Sequence, residues 1–360
     1  MESSFSKTYA EARRRFLEAA AAVGGEIRSY PLETESSSEL AIDAAIIGPE
    51  EAPTIVISSG VHGVEGFFGS AIQRAFLDRL RQTNTDSKIR YVLLHSINPF
   101  GFSRLRRFNE DNIDLNRNFL TDANDYQGAP EGYAEFDALL NPPSPPSRWE
   151  PFRLKAAWTI WRYGWESLKQ SVVVGQYEFP QGLFFGGRGP SQSARIVAAN
   201  CDSWIGASAR IVHLDFHSGL GAFGAYQLWL AEAAGSPDHL WCENAFGADC
   251  VTPLIGEREG VAYQASGGFG EWMRERFAAR EYRSLVAEFG TYGPIRVLGA
   301  IRAENRAYHY GAANSALYQS VQAELLECFC PRSPRWRKQV VQSGLKAIEQ
   351  AERALLEDAS

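Results

Sequence analysis

Residues 54–80 read TIVISSGVHGVEGFFGSAIQRAFLDRL, and the spacing of the apolar residues changes halfway along. Thr54 to Ser58 is a short apolar run, β-branched and bounded by Pro53 and Gly60, as a strand in a covered sheet requires. From Phe67 onward Phe68, Ala71, Ile72, Ala75, Phe76 and Leu80 fall at helical spacing. Gly60, Gly63 and Gly66 lie between the two patterns and permit a tight strand-to-helix turn. His62 and Glu65 sit in that turn, so the first candidate chemistry lies at the carboxyl end of a strand, where α/β folds gather their functional residues.

The same reading extends in both directions. Thr8 and Glu11 have capping-box spacing, and Tyr9, Phe16, Leu17, Ala20 and Val23 follow on one helical stripe that stops at Gly24-Gly25. Leu40 to Ile47, Tyr91 to Ser96, Ile211 to Phe216, Tyr226 to Leu230 and Leu285 to Phe289 are further strand candidates. Strands alternating with helices predict an α/β fold with a mixed, mostly parallel central sheet and helices on both faces. We read the whole chain, 1–360, as one large domain. Residues 120–203 read as an insertion or lid within it, containing Asn141-Pro-Pro-Ser-Pro-Pro and then Trp158, Trp161, Trp165 and Leu168 at helical spacing. That tryptophan stripe is expected to pack in the core or between subunits rather than to form a ligand platform. A last helix is expected over 333–358, opening at Ser333-Pro334.

Composition narrows the function. A net charge of -7 gives no reason to expect nucleic acid or an anionic membrane as a partner, and catalysis on small substrates fits better. No stretch approaches 18 uninterrupted apolar residues, so no membrane span is expected. The opening Met-Glu-Ser-Ser-Phe-Ser-Lys lacks the basic and apolar regions of a secretory signal, and the five cysteines have no framework spacing. Both point to free thiols and a cytoplasmic protein. Cys328 and Cys330 form a lone C-x-C that we read as two ordinary thiols.

A catalytic zinc ion takes three protein ligands and leaves one position open, and His62-Gly63-Val64-Glu65 supplies two donors from one turn. The same four residues also suit a surface helix start, so they decide little alone. A second element runs through Asn98-Pro99-Phe100-Gly101, Arg106-Arg107-Phe108-Asn109 and Asp114-Leu115-Asn116-Arg117-Asn118. An Asn-Arg pair suits a substrate carboxylate through charge-assisted hydrogen bonds, and another arginine can polarise a carbonyl. Asp114 is close enough in sequence to take the outer hydrogen bond of a metal-bound histidine. The remaining histidines, His95, His213, His239 and His309, are read as structural. His213 and His217 share a strand face but stand too far apart to chelate one ion.

These segments, with Leu214-Asp215-Phe216-His217-Ser218, Tyr263-Gln-Ala-Ser-Gly-Gly268 and Ala287-Glu288-Phe289-Gly290, follow the order found in zinc carboxypeptidases of the carboxypeptidase A superfamily. The N-terminal half resembles an uncharacterised bacterial branch of it. The resemblance implies a zinc-carboxypeptidase-like (phosphorylase/hydrolase-like) fold and one Zn2+ ion bound by His62, Glu65 and His217. It implies that Asp114 orients His62, that Arg107 stabilises the oxyanion with Arg106 as the one-residue alternative, and that Glu288 is general base and then acid. Asn116 and Arg117 would hold a terminal carboxylate and Tyr263 would close over the substrate. Gly270 falls at the position that helps select the leaving side chain and, carrying no charge, predicts no strong preference for basic or acidic residues.

The activity implied is that of a zinc metallocarboxypeptidase removing a C-terminal residue from a peptide or peptide-like amide. An N-acylamino-acid deacylase of the desuccinylase and aspartoacylase type is the alternative, since the Asp215-x-His217 spelling is at home there. A third reading of another class is a non-catalytic zinc or peptide-binding module, although no ligand or base is missing. The partner in the first two is a small substrate with a free carboxylate. Two histidines and one carboxylate suit zinc first and iron second.

Overall fold

The structure is a computed structural model that describes residues 4–33, 39–83, 88–122, 125–147, 149–164, 174–255 and 266–357. The first half of the chain forms α1 (Tyr9–Ala22), β1 (Glu26–Pro31), β2 (Ala41–Ile47), β3 (Thr54–Ser59), α2 (Gly66–Thr83), β4 (Arg90–His95), α3 (Pro99–Arg104), α4 (Tyr133–Leu140) and α5 (Phe152–Tyr163). The second half forms α6 (Gln192–Ile205), β5 (Arg210–Gly219), β6 (Tyr226–Ala233), α7 (Pro237–Phe246), β7 (Val251–Ile255), α8 (Phe269–Arg276), β8 (Glu281–Gly290), α9 (Pro294–Tyr310), α10 (Ala316–Phe329) and α11 (Pro334–Glu357). Local chemistry sets many of these boundaries. Thr8 caps α1 by accepting from the Glu11 amide, and Asn98 caps α3 by accepting from Gly101, with Pro99 at the first helical position.

One eight-stranded sheet runs in the order β1-β2-β4-β3-β5-β8-β6-β7. Its centre, β4-β3-β5-β8, is parallel, and antiparallel pairs join it to β2 on one side and β6 on the other. The central strands are buried on both faces and read as continuous apolar runs for that reason. On one face Phe68 of α2 packs on Phe289 and on Trp336 of α11, and Phe289 meets Phe216. On the opposite face, where His213 points, Phe269 of α8 covers the sheet, and α6 lies beside α8 through the Asp202–Arg276 ion pair. Helices therefore cover both faces, as the alternation of patterns predicts. Among the described residues no helix is long and apolar enough to cross a membrane.

Two parts of the 120–203 stretch have distinct surroundings. Trp158 and Trp161 of α5 are exposed, so of the two surroundings expected for the tryptophan stripe, core or subunit contact, they do not lie in the core of this chain; Trp165 and Leu168 lie outside the described residues. Helical spacing reports which residues share a face, and it does not report whether anything covers that face. Residues 192–205 form α6, whose Val197, Cys201, Trp204 and Ile205 join the main core. A satellite core of Tyr133, Phe136 and Leu140 of α4 with Val297 and Ile301 of α9 holds the earlier part of the 120–203 stretch. There Glu150 accepts from both Arg302 and Arg306 of α9, and burial of the two guanidinium groups keeps the clamp largely out of water.

Candidate metal centre

The turn after β3 is tied by backbone hydrogen bonds to the segment that follows α3. The Gly63 and Val64 amides donate to the Arg107 and Arg106 carbonyls at 3.2 and 2.8 Å. A Cβ at Gly63 would lie 2.1 Å from the Gly101 carbonyl carbon, so the turn approaches α3 more closely than any side chain allows. Residues 63–65 close as a single 3₁₀ turn, which leaves His62 and Glu65 on one side of it. His217 reaches the same point from the carboxyl end of β5, and β8 runs parallel to it with Glu288 directly beside His217.

His62, Glu65 and His217 are all buried, and their donor atoms converge. His62 Nδ1 lies 2.9 Å from Glu65 Oε1 and 3.3 Å from His217 Nδ1, and His217 Nδ1 lies 3.3 Å from Glu65 Oε2. A tetrahedral shell with zinc–ligand distances of about 2.0–2.1 Å has ligand–ligand edges of about 3.3 Å, so the triad fits such an ion. Among the described residues it is the one group of this kind.

The outer nitrogen of each histidine has a carboxylate within reach. His217 Nε2 lies 2.6 Å from Asp215 Oδ2. His62 Nε2 has two neighbours of opposite demand, Arg107 Nη2 at 2.7 Å and Asp114 Oδ1 at 3.2 Å. With Nε2 bare the ring accepts from Arg107 and donates from Nδ1 to Glu65. With Nε2 protonated it donates to Asp114 and presents a bare Nδ1 to the triad, which is the form a cation needs. Arg107 also donates through Nε to Asp114 at 2.9 Å, so its guanidinium stays beside the site in either form.

Charge in the pocket is strongly coupled. Burial acts to raise the Glu65 carboxyl, but His62 and His217 outweigh it and bring it down to about 2. Burial likewise opposes ionisation of Asp114, and Arg107 with His62 holds it well below the usual carboxylate range. His217 is pushed well above 6.5, against its burial, by Asp215 and Glu65. Glu288 goes the other way: burial and the negative Glu65 push it up to about 8, although the Leu220 amide donates to Oε1 at 2.7 Å.

Other expected residues take distinct positions. Arg106 points away into the core, where Nε meets Glu304 at 2.8 Å and the guanidinium stacks 3.4 Å from the Tyr308 ring centroid. Of the two arginines, Arg107 is the one that lies beside the triad. Asn116 accepts from the Phe269 amide at 3.0 Å, capping the start of α8. Arg117 is buried beside Gly175 and Gly267, with Nη1 donating to the Asn116 carbonyl at 2.5 Å, and desolvation lowers its pKa to about 10. Gly270 lies against β8, where a Cβ would come 2.3 Å from Ser284 Oγ, so its small size serves helix–strand contact. Tyr263 lies outside the described residues.

Three residues near the triad carry polar contacts that the sequence reading left out of the site: Ser58, His213 and Asp215. The alternation His213-x-Asp215-x-His217 already places three polar side chains on one strand face. That Ser58 stands opposite Asp215 depends on strand register, which no local pattern encodes.

A family model described as "Protein of unknown function (DUF2817)" matches residues 5–343. No curated protein matches the chain by sequence. Among solved structures it is similar to carboxypeptidase A from Helicoverpa armigera, at 14% identity over 89% of this chain and 73% of that chain, with a TM-score of 0.47. It is also similar to bovine thrombin-activatable fibrinolysis inhibitor in complex with tick carboxypeptidase inhibitor, at 13% identity over 94% and 99% of the two chains and a TM-score of 0.46. A third similar structure is succinylglutamate desuccinylase from Chromobacterium violaceum, at 12% identity over 88% and 77% and a TM-score of 0.38.

Proposed function

The chain belongs to the DUF2817 family, and from the geometry of its buried triad we propose that it is a zinc-dependent hydrolase that cleaves a C-terminal amide bond of a peptide or peptide-like substrate. The observation that carries this reading is the convergence of two imidazole nitrogens and one carboxylate within 3.3 Å of one another, beside a carboxyl and a guanidinium that are themselves buried.

His62, Glu65 and His217 would hold the ion. Zinc bound there supplies Lewis acidity and brings the pKa of a bound water down to about 7. Glu288 stands beside His217 on the adjoining strand, and its carboxyl sits near neutrality, so it can take a proton from attacking water and return it to the leaving nitrogen. Positive charge placed in the triad favours its ionised form, the one a base needs. Arg107 lies on the rim of the triad and meets the negative charge that develops on the carbonyl oxygen. Asn116, Arg117 and Tyr263 complete the substrate side in this reading, with Asn116 and Arg117 on the carboxylate and Gly270 leaving the side-chain preference uncharged.

A second reading, N-acylamino-acid deacylase, is favoured by one observation: Asp215 holds the outer nitrogen of His217 from two residues away, the Asp-x-His arrangement at home in that branch. Metal analysis of purified protein, followed by turnover of dipeptides, blocked peptides and N-acylamino acids, separates them. Cleavage of C-terminal residues is expected, and turnover confined to N-acylamino acids would sink the peptidase reading. Glu288→Gln is expected to keep zinc and lose turnover by roughly 10²–10⁴-fold. Zinc binding by a wild type that hydrolyses nothing across both libraries would leave a binding module.

A further inference from the structure

Behind His217 runs a line of buried side chains that the mechanism does not use. Tyr282 Oη lies 3.0 Å from His213 Nδ1, His213 Nε2 lies 2.7 Å from Ser58 Oγ, Ser58 Oγ lies 2.5 Å from Asp215 Oδ1, and Asp215 Oδ2 lies 2.6 Å from His217 Nε2. The line crosses three neighbouring strands, β8, β5 and β3, and all five residues are buried.

Proton counting gives it one direction. Asp215 faces a donor at each oxygen, Ser58 Oγ at Oδ1 and His217 Nε2 at Oδ2, and accepts from both. The single hydrogen of Ser58 is then spent on Asp215, so the hydrogen between Ser58 and His213 must come from the imidazole Nε2. A neutral His213 with its proton on Nε2 has a bare Nδ1, which can only accept, and the Tyr282 hydroxyl donates to it. Burial holds His213 neutral by pushing it down to about 4. At the far end Nε2 of His217 donates to Asp215, leaving Nδ1 as the atom that faces Glu65 and His62.

We propose that His213 is a positioning residue for the triad: through Ser58 it fixes the plane of the Asp215 carboxylate, and through Asp215 the ring of His217. The inference rests on the reading of the triad as a metal centre. A histidine with only a packing role is an expensive choice for a site this dry, since an apolar side chain of similar size avoids the desolvation cost. Both nitrogens of His213 are instead matched, one as donor and one as acceptor. Removing the Nε2 donor frees the Ser58 hydroxyl to turn away, and Asp215 loses the contact that holds its second oxygen.

Zinc affinity tests this in the full chain, by competition with a chromogenic chelator, with far-UV circular dichroism and thermal melting to score folding. His213→Gln presents a donor at about the reach of the imidazole Nε2, and His213→Leu presents none. His213→Leu is expected to weaken zinc binding by roughly 10–100-fold, with His213→Gln within about threefold of wild type. Cobalt loaded in place of zinc should show altered visible absorption in the leucine variant and not in the glutamine one. If His213→Leu does not fold, Ser58→Ala, which removes one oxygen, decides in its place with the same expected loss. Folded His213→Leu or Ser58→Ala protein with wild-type affinity overturns the positioning role, as does a glutamine variant as weak as the leucine one. A wild type that binds no zinc overturns the metal reading itself, which separates the two failures.

Discussion

Arg106 and Arg107 are adjacent in the chain and have opposite fates. Arg106 is enclosed with Glu304, Asn112 and Asn305, whereas Arg107 spans Asp114 and His62. Breaking a buried pair leaves an uncompensated charge, so Arg106→Met is expected to destabilise the protein by about 3–5 kcal/mol in urea unfolding. Arg107→Lys keeps the charge but loses the planar fork; we expect a kcat lower by roughly 10²–10³-fold with little change in thermal midpoint. Sequence alone left this choice open by one residue, because neighbouring arginines in a loop carry no periodicity to tell inward from outward. His62 and Glu65 were legible because glycine, turn and donor spacing are all local. The Ser58 and His213 contacts were not, because they depend on which strand lies beside which.

At the scale of elements, the turn carrying His62 and Glu65 stands where it does because Gly63 has no side chain. Gly63→Ala must push the turn off α3, with an expected loss of about 1–3 kcal/mol of stability and a parallel loss of metal affinity by chelator competition. The capped start of α1 was readable as short-range hydrogen-bond chemistry. The pairing of His217 with Glu288 was not, since parallel register is set by tertiary contacts between strands far apart in sequence. The tryptophan stripe of α5 could be read only as core or subunit packing, because an apolar face and an uncovered face look alike in a helical pattern. What fastens that region is Glu150 between Arg302 and Arg306. Glu150→Gln is expected to raise its susceptibility to limited proteolysis while leaving the thermal midpoint of the main core nearly unchanged.

Across the molecule, acid acts first through buried neutral histidine. His95 is sealed against Phe16 and Ser70, and burial pushes it down to about 4 from an ordinary value near 6.5. Its folded value is the lower one, so the unfolded chain takes up the proton first. The stabilisation is complete above pH ~6.5 and is lost as pH falls toward ~4, at a cost of about 3 kcal/mol. Urea unfolding followed over that range should show the loss, and His95→Phe should remove its own share while that of His213, also held at about 4 by burial, persists. The distribution of indoles gives the same molecule two optical reporters. Trp204 and Trp336 are wholly enclosed, while Trp149 and Trp161 are 82% and 81% exposed. Iodide in solution should therefore quench the long-wavelength part of the emission and spare the short-wavelength part. Movement of the α5 region and melting of the sheet can then be followed as separate colours in one cuvette.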